Sequence, residues 1–401
     1  MGGRRLPNSL SEASLKAVWN DSRDSRVSRA GAPGVDGVSA SDFSRRLAPN
    51  LHQTREALRK GHFSFSPLRV CTVPKKNGAK RIIAVPTIRD RLVQRAICLH
   101  LENDKRFPKT PSVAYGFVKG RSLADAHRKA LEYRRLLPWV LQTDIVSFFD
   151  QIDRADVLKA IKRSVRSKII ADLIVKTANT ELDYSDPLTS ILTKSAGIKK
   201  GQGLRQGMPL SPVLSNVVMR DVDQGIDRAK LKAIRYADDI AVFCDSQEEC
   251  EAALELIKGL LKPLGLKIPP LDNSGKTTIT PARKACEVLG VELRFVGERY
   301  EMYAPRTRLS AIEANFDEIA TAEYCIENKL NLARMLAHFD AVARGHKHSV
   351  EGLGNADDFR ARVDALHRKA VANLLKSLVG EKAFAELTDQ KLAVLGVNAF
   401  P

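Results

Sequence analysis

The stretch that most constrains the fold is a pair of adjacent aspartates, Asp238 and Asp239, set between two short apolar runs. Ala233 and Ile234 precede the pair and residues 240–243 follow it, which predicts two β-strands joined by a tight turn at Ala237 and Asp238. Two carboxylates at one strand end repel each other unless a cation neutralises them, and carboxylate oxygens suit Mg²⁺. Exposed Asp-Asp turns also occur in ordinary hairpins, so this stretch alone leaves both interpretations open.

A third acidic residue, Asp144, follows another predicted strand. Residues 138–143 form an apolar run that delivers Asp144 at its end, and the aromatic pair Phe148 and Phe149 comes soon after. Two metal ions about 4 Å apart, held by carboxylates from two strands, can activate an attacking 3′ hydroxyl and stabilise a leaving pyrophosphate. Asp144, Asp238 and Asp239 would supply the negative charge for such a centre.

A third stretch, residues 203–216, is a loop punctuated by glycine and proline that runs into a predicted helix. In this order the three stretches resemble the palm of a reverse transcriptase of the bacterial group II intron-like lineage. Residues 236–239 (Tyr-Ala-Asp-Asp) match the family signature, and Gln206-Gly207 with residues 210–212 (Leu-Ser-Pro) match its nucleotide-binding loop. The resemblance extends from about residue 31 to about residue 306.

The resemblance implies an α+β fold, a right-hand polymerase with fingers, a ferredoxin-like palm and a helical thumb. The expected organisation is a basic N-terminal arm at 1–30, fingers at 31–135, a palm at 136–305 with a helical fingers insert at about 151–203, and a thumb at 306–401. The expected chain order of the palm is β-α-β-β-α-β.

The resemblance also assigns roles at the site. Asp144, Asp238 and Asp239 would be catalytic and would bind two Mg²⁺ ions, for which Mn²⁺ could substitute, with the carbonyl of Ile145 as a further metal ligand. The residues expected to bind the incoming nucleotide are Lys75 and Arg81 at its phosphates, Phe149 as a steric gate under the sugar, and Gln206 and Gly207 in the loop. Lys276 would be a proton donor near the pyrophosphate.

The loop departs from the family pattern at two positions. Relatives usually carry proline before the glutamine and a small residue after the glycine, whereas this chain has Arg205 and Met208. This difference leaves the exact shape of the loop open, but it does not affect the three aspartates.

The charge of the chain favours a nucleic-acid partner, and its cysteines indicate neither of the structures that cysteines commonly build. The formal net charge of +18, from 65 basic and 47 acidic residues, indicates a phosphate-binding surface. None of the six cysteines forms a Cys-x-x-Cys motif, so neither a zinc site nor a disulfide framework is indicated. With no signal peptide and no apolar run long enough to span a bilayer, we expect a cytoplasmic protein with no membrane partner.

The expected activity is RNA-directed DNA polymerisation from deoxynucleoside triphosphates on an RNA template, giving a DNA product. The chain length resembles that of host-encoded bacterial relatives, which predicts copying of a cognate structured non-coding RNA in antiphage defence. The alternative is a compact intron maturase whose RNA binding assists splicing and retrotransposition. An RNA-dependent RNA polymerase is disfavoured by Phe149, and the sequence leaves a homo-oligomer open.

Overall fold

The computed structural model describes residues 5–21, 32–74, 80–272 and 275–395. The chain divides into two compact units, Met1–Ala126 with Leu141–Ile279 and His127–Val140 with Thr280–Pro401. This division differs from the expected arm, fingers, palm and thumb, whose boundaries stay predictions. The mixture of helices and strands agrees with the α+β class.

Strands and helices are interleaved along the chain. The strands are β1 Arg69–Pro74, β2 Lys80–Val85, β3 Trp139–Thr143, β4 Lys232–Tyr236, β5 Asp239–Cys244, β6 Thr278–Thr280, β7 Cys286–Val288, β8 Val291–Val296 and β9 Arg299–Tyr303. The helices are α1 Glu12–Asn20, α2 Ala40–Arg45, α3 Leu47–Lys60, α4 Ile88–Asn103, α5 Leu123–Leu136, α6 Phe148–Gln151, α7 Arg154–Ser164, α8 Lys168–Ala178, α9 Pro187–Ser195, α10 Ser211–Arg228, α11 Gln247–Leu261, α12 Arg306–Ile319, α13 Ala322–Glu327, α14 Leu332–His348, α15 Ala356–Val379, α16 Glu381–Ala385 and α17 Asp389–Val394.

A four-stranded sheet in the order β4-β5-β3-β6 forms the centre of the first unit. Helices α6 to α10 separate β3 from β4 along the chain, and α11 separates β5 from β6. Taken in chain order, the second and third strands of this sheet lie on one side and the first and fourth on the other. This is the β-α-β-β-α-β arrangement of a ferredoxin-like palm, which confirms the predicted topology.

Apolar side chains explain why this sheet is buried. Strand β5 buries every residue after Asp239, and Val140 and Leu141 of β3 are fully buried. Helix α10 contributes Leu214, Val218 and other apolar residues to the buried core. A strand that is buried on both faces needs a continuous apolar run, which residues 240–243 provide.

A separate two-stranded hairpin contains the basic residues expected in the fingers. Strands β1 and β2 pair antiparallel in a register that sets Val73 opposite Arg81 and Pro74 opposite Lys80. The candidate Lys75 lies outside the described residues.

The N-terminal helix α1 is packed rather than solvated. Ser11 caps it by accepting a hydrogen bond from the Ser14 amide, and Leu15, Val18 and Trp19 are buried. The Trp19 ring lies 5.0 Å from that of Phe43. Within the expected basic arm, Leu15, Val18 and Trp19 therefore belong to the core of the first unit, because the apolar face of this helix has a partner there.

The second unit combines the antiparallel sheet β7-β8-β9 with helices α12 to α17. Its core includes Phe316, Phe339 and Phe359, and the rings of the first two meet edge to face at 5.7 Å. Helix α15 spans 24 residues and buries one apolar stripe, as the 3.6-residue spacing of its apolar positions predicts.

Over the described part of the chain, no helix combines the length and the apolar character that a membrane crossing requires.

Candidate active site

The two adjacent aspartates lie at a two-residue turn between β4 and β5. Tyr236 pairs with Asp239, so Ala237 and Asp238 form the loop, as predicted. Ala237 has a φ of 59°, the left-handed conformation that a primed hairpin turn requires. Such a turn matches the twist of the strands and presents both carboxylates at one end of the sheet.

Strand β3 brings Asp144 to the same region. Strands β3 and β5 are neighbours in the sheet, and Asp144 follows the last residue of β3 directly. Among the described residues, nothing hydrogen-bonds Oδ1 of Asp144, although that oxygen is buried. A buried carboxylate oxygen without a donor is costly unless a cation meets it.

The charges of the three carboxylates act on one another. Burial, followed by repulsion from Asp238 and Asp144, raises the pKa of Asp239 to about 6. Burial also raises the pKa of Asp238, and repulsion from Asp144 adds to the rise, while Arg81 and Arg235 oppose it. Asp238 and Asp239 are therefore harder to ionise, and a bound cation would relieve the repulsion that contributes to this.

These residues fit a divalent metal ion by the chemistry of their donors. The three side chains offer hard oxygen ligands, and the buried Oδ1 of Asp144 lacks a protein partner. Over the described ranges, however, no three acidic, histidine or cysteine side chains lie close enough together to hold an ion as a group. The three charges therefore act on one another, but among the described residues the side chains do not form a closed set of metal ligands.

Neutralising Asp239 should stabilise the metal-free protein. Because its pKa is raised above the ordinary 3.8, the ionised side chain destabilises the fold as the pH rises through about 6. Asp239→Asn should therefore gain at most about 1 kcal/mol at pH 8, because Asp239 is only partly withdrawn from water and the solvent that still reaches it screens much of the repulsion. The gain should vanish near pH 4, where both proteins carry a neutral group.

Thermal unfolding in a chelator measures this effect at both pH values. Asp172→Asn, which removes an exposed carboxylate of helix α8, is the matched control and should show no gain. A variant of Asp239 that is no more stable than the wild type at pH 8 would contradict the repulsion.

Three other candidates, Arg81, Phe149 and Lys276, also lie among the described residues. Arg81 is exposed, and its charge lowers the pKa of Asp238. The Phe149 ring is half-buried and meets Phe148 edge to face at 5.3 Å. Lys276 is exposed and precedes Thr277, whose hydroxyl lies 2.8 Å from that of Thr143, the last residue of β3. The role of the Ile145 carbonyl stays a prediction.

The nucleotide-loop candidates contact the basic hairpin. The Ala84 amide of β2 donates to the Gln206 carbonyl at 2.7 Å. Gly207 has a φ of 109°, and a Cβ added there would collide with the Ala84 carbonyl oxygen. The close approach to the neighbouring strand by itself requires glycine here, and the contact of this loop with a nucleotide stays a prediction.

The two departures from the family pattern have structural roles. Arg205 is buried and donates to the Glu181 carboxylate at 3.1 Å. Met208 is also buried and packs in a small core with Leu68, Ala84 and Leu182. Both residues therefore anchor the loop through buried contacts.

Glu181 is a residue that the sequence patterns did not single out. Its carboxylate accepts hydrogen bonds from Arg154 at 2.6 Å, from the Gly201 amide at 2.8 Å and from Arg205. Burial alone would raise its pKa, but these three donors together lower the pKa below its usual value. A lone glutamate in the predicted insert carries no local signal of this role.

The family model for reverse transcriptase (RNA-dependent DNA polymerase) matches residues 73–293. The chain belongs to the reverse transcriptase family. The match contains all three aspartates, the hairpin strand β2 and the loop with Gln206 and Gly207. This family assignment agrees with the ferredoxin-like order of the central sheet.

Several bacterial proteins are similar to this reverse transcriptase over different shares of their length. It is 29% identical to Protein YkfC of Escherichia coli K12 over 72% of this chain and 83% of that protein. It is 26% identical to the retron Ec83 reverse transcriptase of Escherichia coli, over 56% of this chain and 68% of that one. The group II intron-encoded protein LtrA of Lactococcus lactis is 27% identical over 44% of this chain, but this covers only 28% of LtrA.

A solved structure of telomerase from Candida albicans aligns with 84% of this chain and 67% of that chain, with 11% identity and a TM-score of 0.44.

Proposed function

We propose that this reverse transcriptase is an active RNA-directed DNA polymerase whose Asp144, Asp238 and Asp239 hold two Mg²⁺ ions. The observation that carries the proposal is the strand order that brings Asp144 to the end of the sheet where Asp238 and Asp239 lie, with burial and then repulsion among the three raising the pKa of Asp239. When bound, the metal ions would activate a primer 3′ hydroxyl and neutralise charge on the departing pyrophosphate.

The surrounding side chains would bind and orient the nucleotide. The exposed Arg81 guanidinium suits bidentate recognition of a phosphate, and Lys75 would add a point charge. Phe149 would close the space beneath the sugar to a 2′ hydroxyl. Lys276 would hold the proton that the leaving pyrophosphate accepts, since its neighbour Thr277 is tied to the end of β3.

Incorporation of labelled deoxynucleotides on a primed RNA template tests the activity. The purified protein should extend a DNA primer when Mg²⁺ is present, and a chelator should stop extension while leaving RNA binding intact. After the chelator has been removed by buffer exchange, added Mn²⁺ should restore primer extension. Wild-type protein that is folded, binds RNA and extends no primer under any of these conditions would overturn the proposal.

Replacing Phe149 with alanine should admit ribonucleotides. Removing the ring opens space under the sugar, and discrimination based on filling a pocket is commonly worth about 10- to 200-fold. We expect the preference for deoxynucleotides to decrease by a factor within that range. The measurement is the ratio of kcat/KM for the two sugars.

Phe148→Leu is the matched control for this test, because Phe148 is the buried neighbour in the same aromatic pair. It should alter stability and leave sugar selectivity unchanged. An unaltered preference in Phe149→Ala would remove the steric-gate role.

For the biological role, we propose that the enzyme copies a cognate structured RNA in antiphage defence. Its resemblance to host-encoded bacterial enzymes and its net charge of +18 support this. The alternative is an intron-type maturase, which its similarity to LtrA supports.

Sequencing the nucleic acid that copurifies with the protein separates the two roles. A distinct non-coding RNA with complementary DNA would support defence, whereas intron RNA would support the maturase. A phenotype that survives loss of DNA synthesis would also favour the maturase.

A further inference from the structure

An arginine lies completely buried two residues before the catalytic turn. The Arg235 side chain of β4 is 1% exposed, and the carboxylate of Asp223 on helix α10 is 0% exposed. Taking a guanidinium and a carboxylate out of water is expensive, and it is tolerated only where their hydrogen bonds are satisfied.

The Arg235 guanidinium joins the turn to helix α10. Its Nε and Nη2 atoms donate to the two oxygens of Asp223 at 2.6 and 2.7 Å, a bidentate pair. Nη2 also donates to Oδ1 of Asn216 at 3.0 Å. The remaining nitrogen, Nη1, donates to the Ala237 carbonyl at 2.8 Å. One planar side chain thus ties the backbone of the turn to two residues of one helix.

The same turn is supported from a second direction by residues 113–116. The Arg235 amide donates to the Val113 carbonyl at 2.7 Å, and the Tyr115 amide donates to the Arg235 carbonyl at 2.8 Å. Asn216 donates to the Gly116 carbonyl at 2.9 Å. Gly116 packs so closely that a Cβ there would lie 2.6 Å from the Ala237 nitrogen.

This support is needed because the turn is strained and highly charged. Ala237 adopts a left-handed φ of 59°, which costs an L-residue roughly 1–2 kcal/mol. Three carboxylates that repel one another lie around it. The peptide group is planar, so fixing the Ala237 carbonyl also fixes the amide of Asp238 and limits where its carboxylate points.

We propose that Arg235, held by Asp223 and Asn216, is a positioning residue that sets the catalytic turn for metal binding. The inference rests on the proposed function, because it concerns the same three carboxylates. Arg235 contacts no reacting atom and acts through the Ala237 carbonyl. Partners that orient metal ligands in this way typically change metal affinity or activity by about 10- to 100-fold when altered.

Arg235→Lys tests the proposal, since lysine keeps the charge but its single nitrogen lacks the fork that spans Asp223 and the turn. We expect Mn²⁺ binding to the free protein, measured by electron paramagnetic resonance, to weaken by about tenfold. The Mg²⁺ concentration for half-maximal DNA synthesis should rise by about the same factor. RNA binding should be unchanged.

Arg134→Lys is the matched control. Arg134 is 0% exposed and also donates to backbone carbonyls, those of Pro138, Pro281 and Lys284. Its loss should lower the unfolding temperature without moving Mn²⁺ affinity. If Arg235→Lys does the same, the residue is merely structural and the proposal is overturned.

Asn216→Ala keeps the experiment decisive if Arg235→Lys does not fold. It leaves the Arg235–Asp223 pair intact and removes the link to Gly116, so Mn²⁺ affinity should fall in the same direction by a smaller factor. Unchanged affinity in a folded Asn216→Ala protein would overturn the proposal. Wild-type protein that makes no DNA would instead overturn the proposed function, and the Mn²⁺ measurements would still report on the turn.

Discussion

Replacing Asp238 and Asp239 together with alanine should abolish DNA synthesis and leave RNA binding intact. The variant removes two of the three carboxylates that converge at the end of the central sheet. Stabilisation by bound metal ions is worth several kcal/mol, so we expect the rate to fall by at least about 10³-fold. Single-turnover extension of a primed RNA template measures the rate, and a filter-binding assay measures RNA affinity.

Another Asp-Asp pair in the chain provides a control. Asp357 and Asp358 lie in the first turn of helix α15, where they pair with Arg360 and Arg362. Replacing both with alanine removes the same charge and should leave the rate within about twofold, because exposed ion pairs contribute little. Deoxynucleotide incorporation retained by the Asp238/Asp239 double variant would refute the assignment of the site.

Replacing Glu181 with alanine should lower the free energy of unfolding by more than the other substitutions do. Arg154 and Arg205 are 8% and 2% exposed and share this carboxylate, so its removal leaves two buried cations without their common partner. Breaking a buried ion pair in this way costs about 3–5 kcal/mol, and we expect about 3 because Glu181 itself is half-buried. Urea unfolding of the purified protein measures the loss.

The pH dependence checks the cause of that loss. The pKa of Glu181 is lowered in the folded protein, so its contribution is present above its unfolded value of 4.5 and disappears as the pH falls through the folded value. The gap between the wild type and Glu181→Ala should therefore narrow in acid.

Glu255→Ala is the matched control, because Glu255 is 71% exposed and pairs with Lys258 on the surface of α11. It should cost less than about 0.5 kcal/mol. Equal losses in the two variants would show that the contacts of Glu181 do not stabilise the loop.

Local sequence was a good guide to the strands and the turn. The hairpin at 232–244 follows from two apolar runs around a polar pair, and β3 follows from one apolar run. These patterns are local because strand formation depends on alternation and burial within a few residues. The separate positions of Asp144, Asp238 and Asp239 were predictable, although their convergence required the strand order of the sheet.

The contacts that hold the site were not predictable from local patterns. Asn216 reaches a carbonyl 100 positions away, and Glu181 joins two arginines on either side of it along the chain. The glycine at position 207 indicated a close approach of the backbone to another group, but only the structure identified Ala84 as a neighbour at that point. Partners at such separations leave no periodic signal in the chain.

Membership of the reverse transcriptase family and the identity of the acidic residues could therefore be read from the order of short motifs alone, because each motif encodes its own strand, turn or loop. Folding decided which buried side chains hold the turn and the loop in place. A buried ion pair forms only where the packing of distant segments excludes water and brings its two members within hydrogen-bond distance.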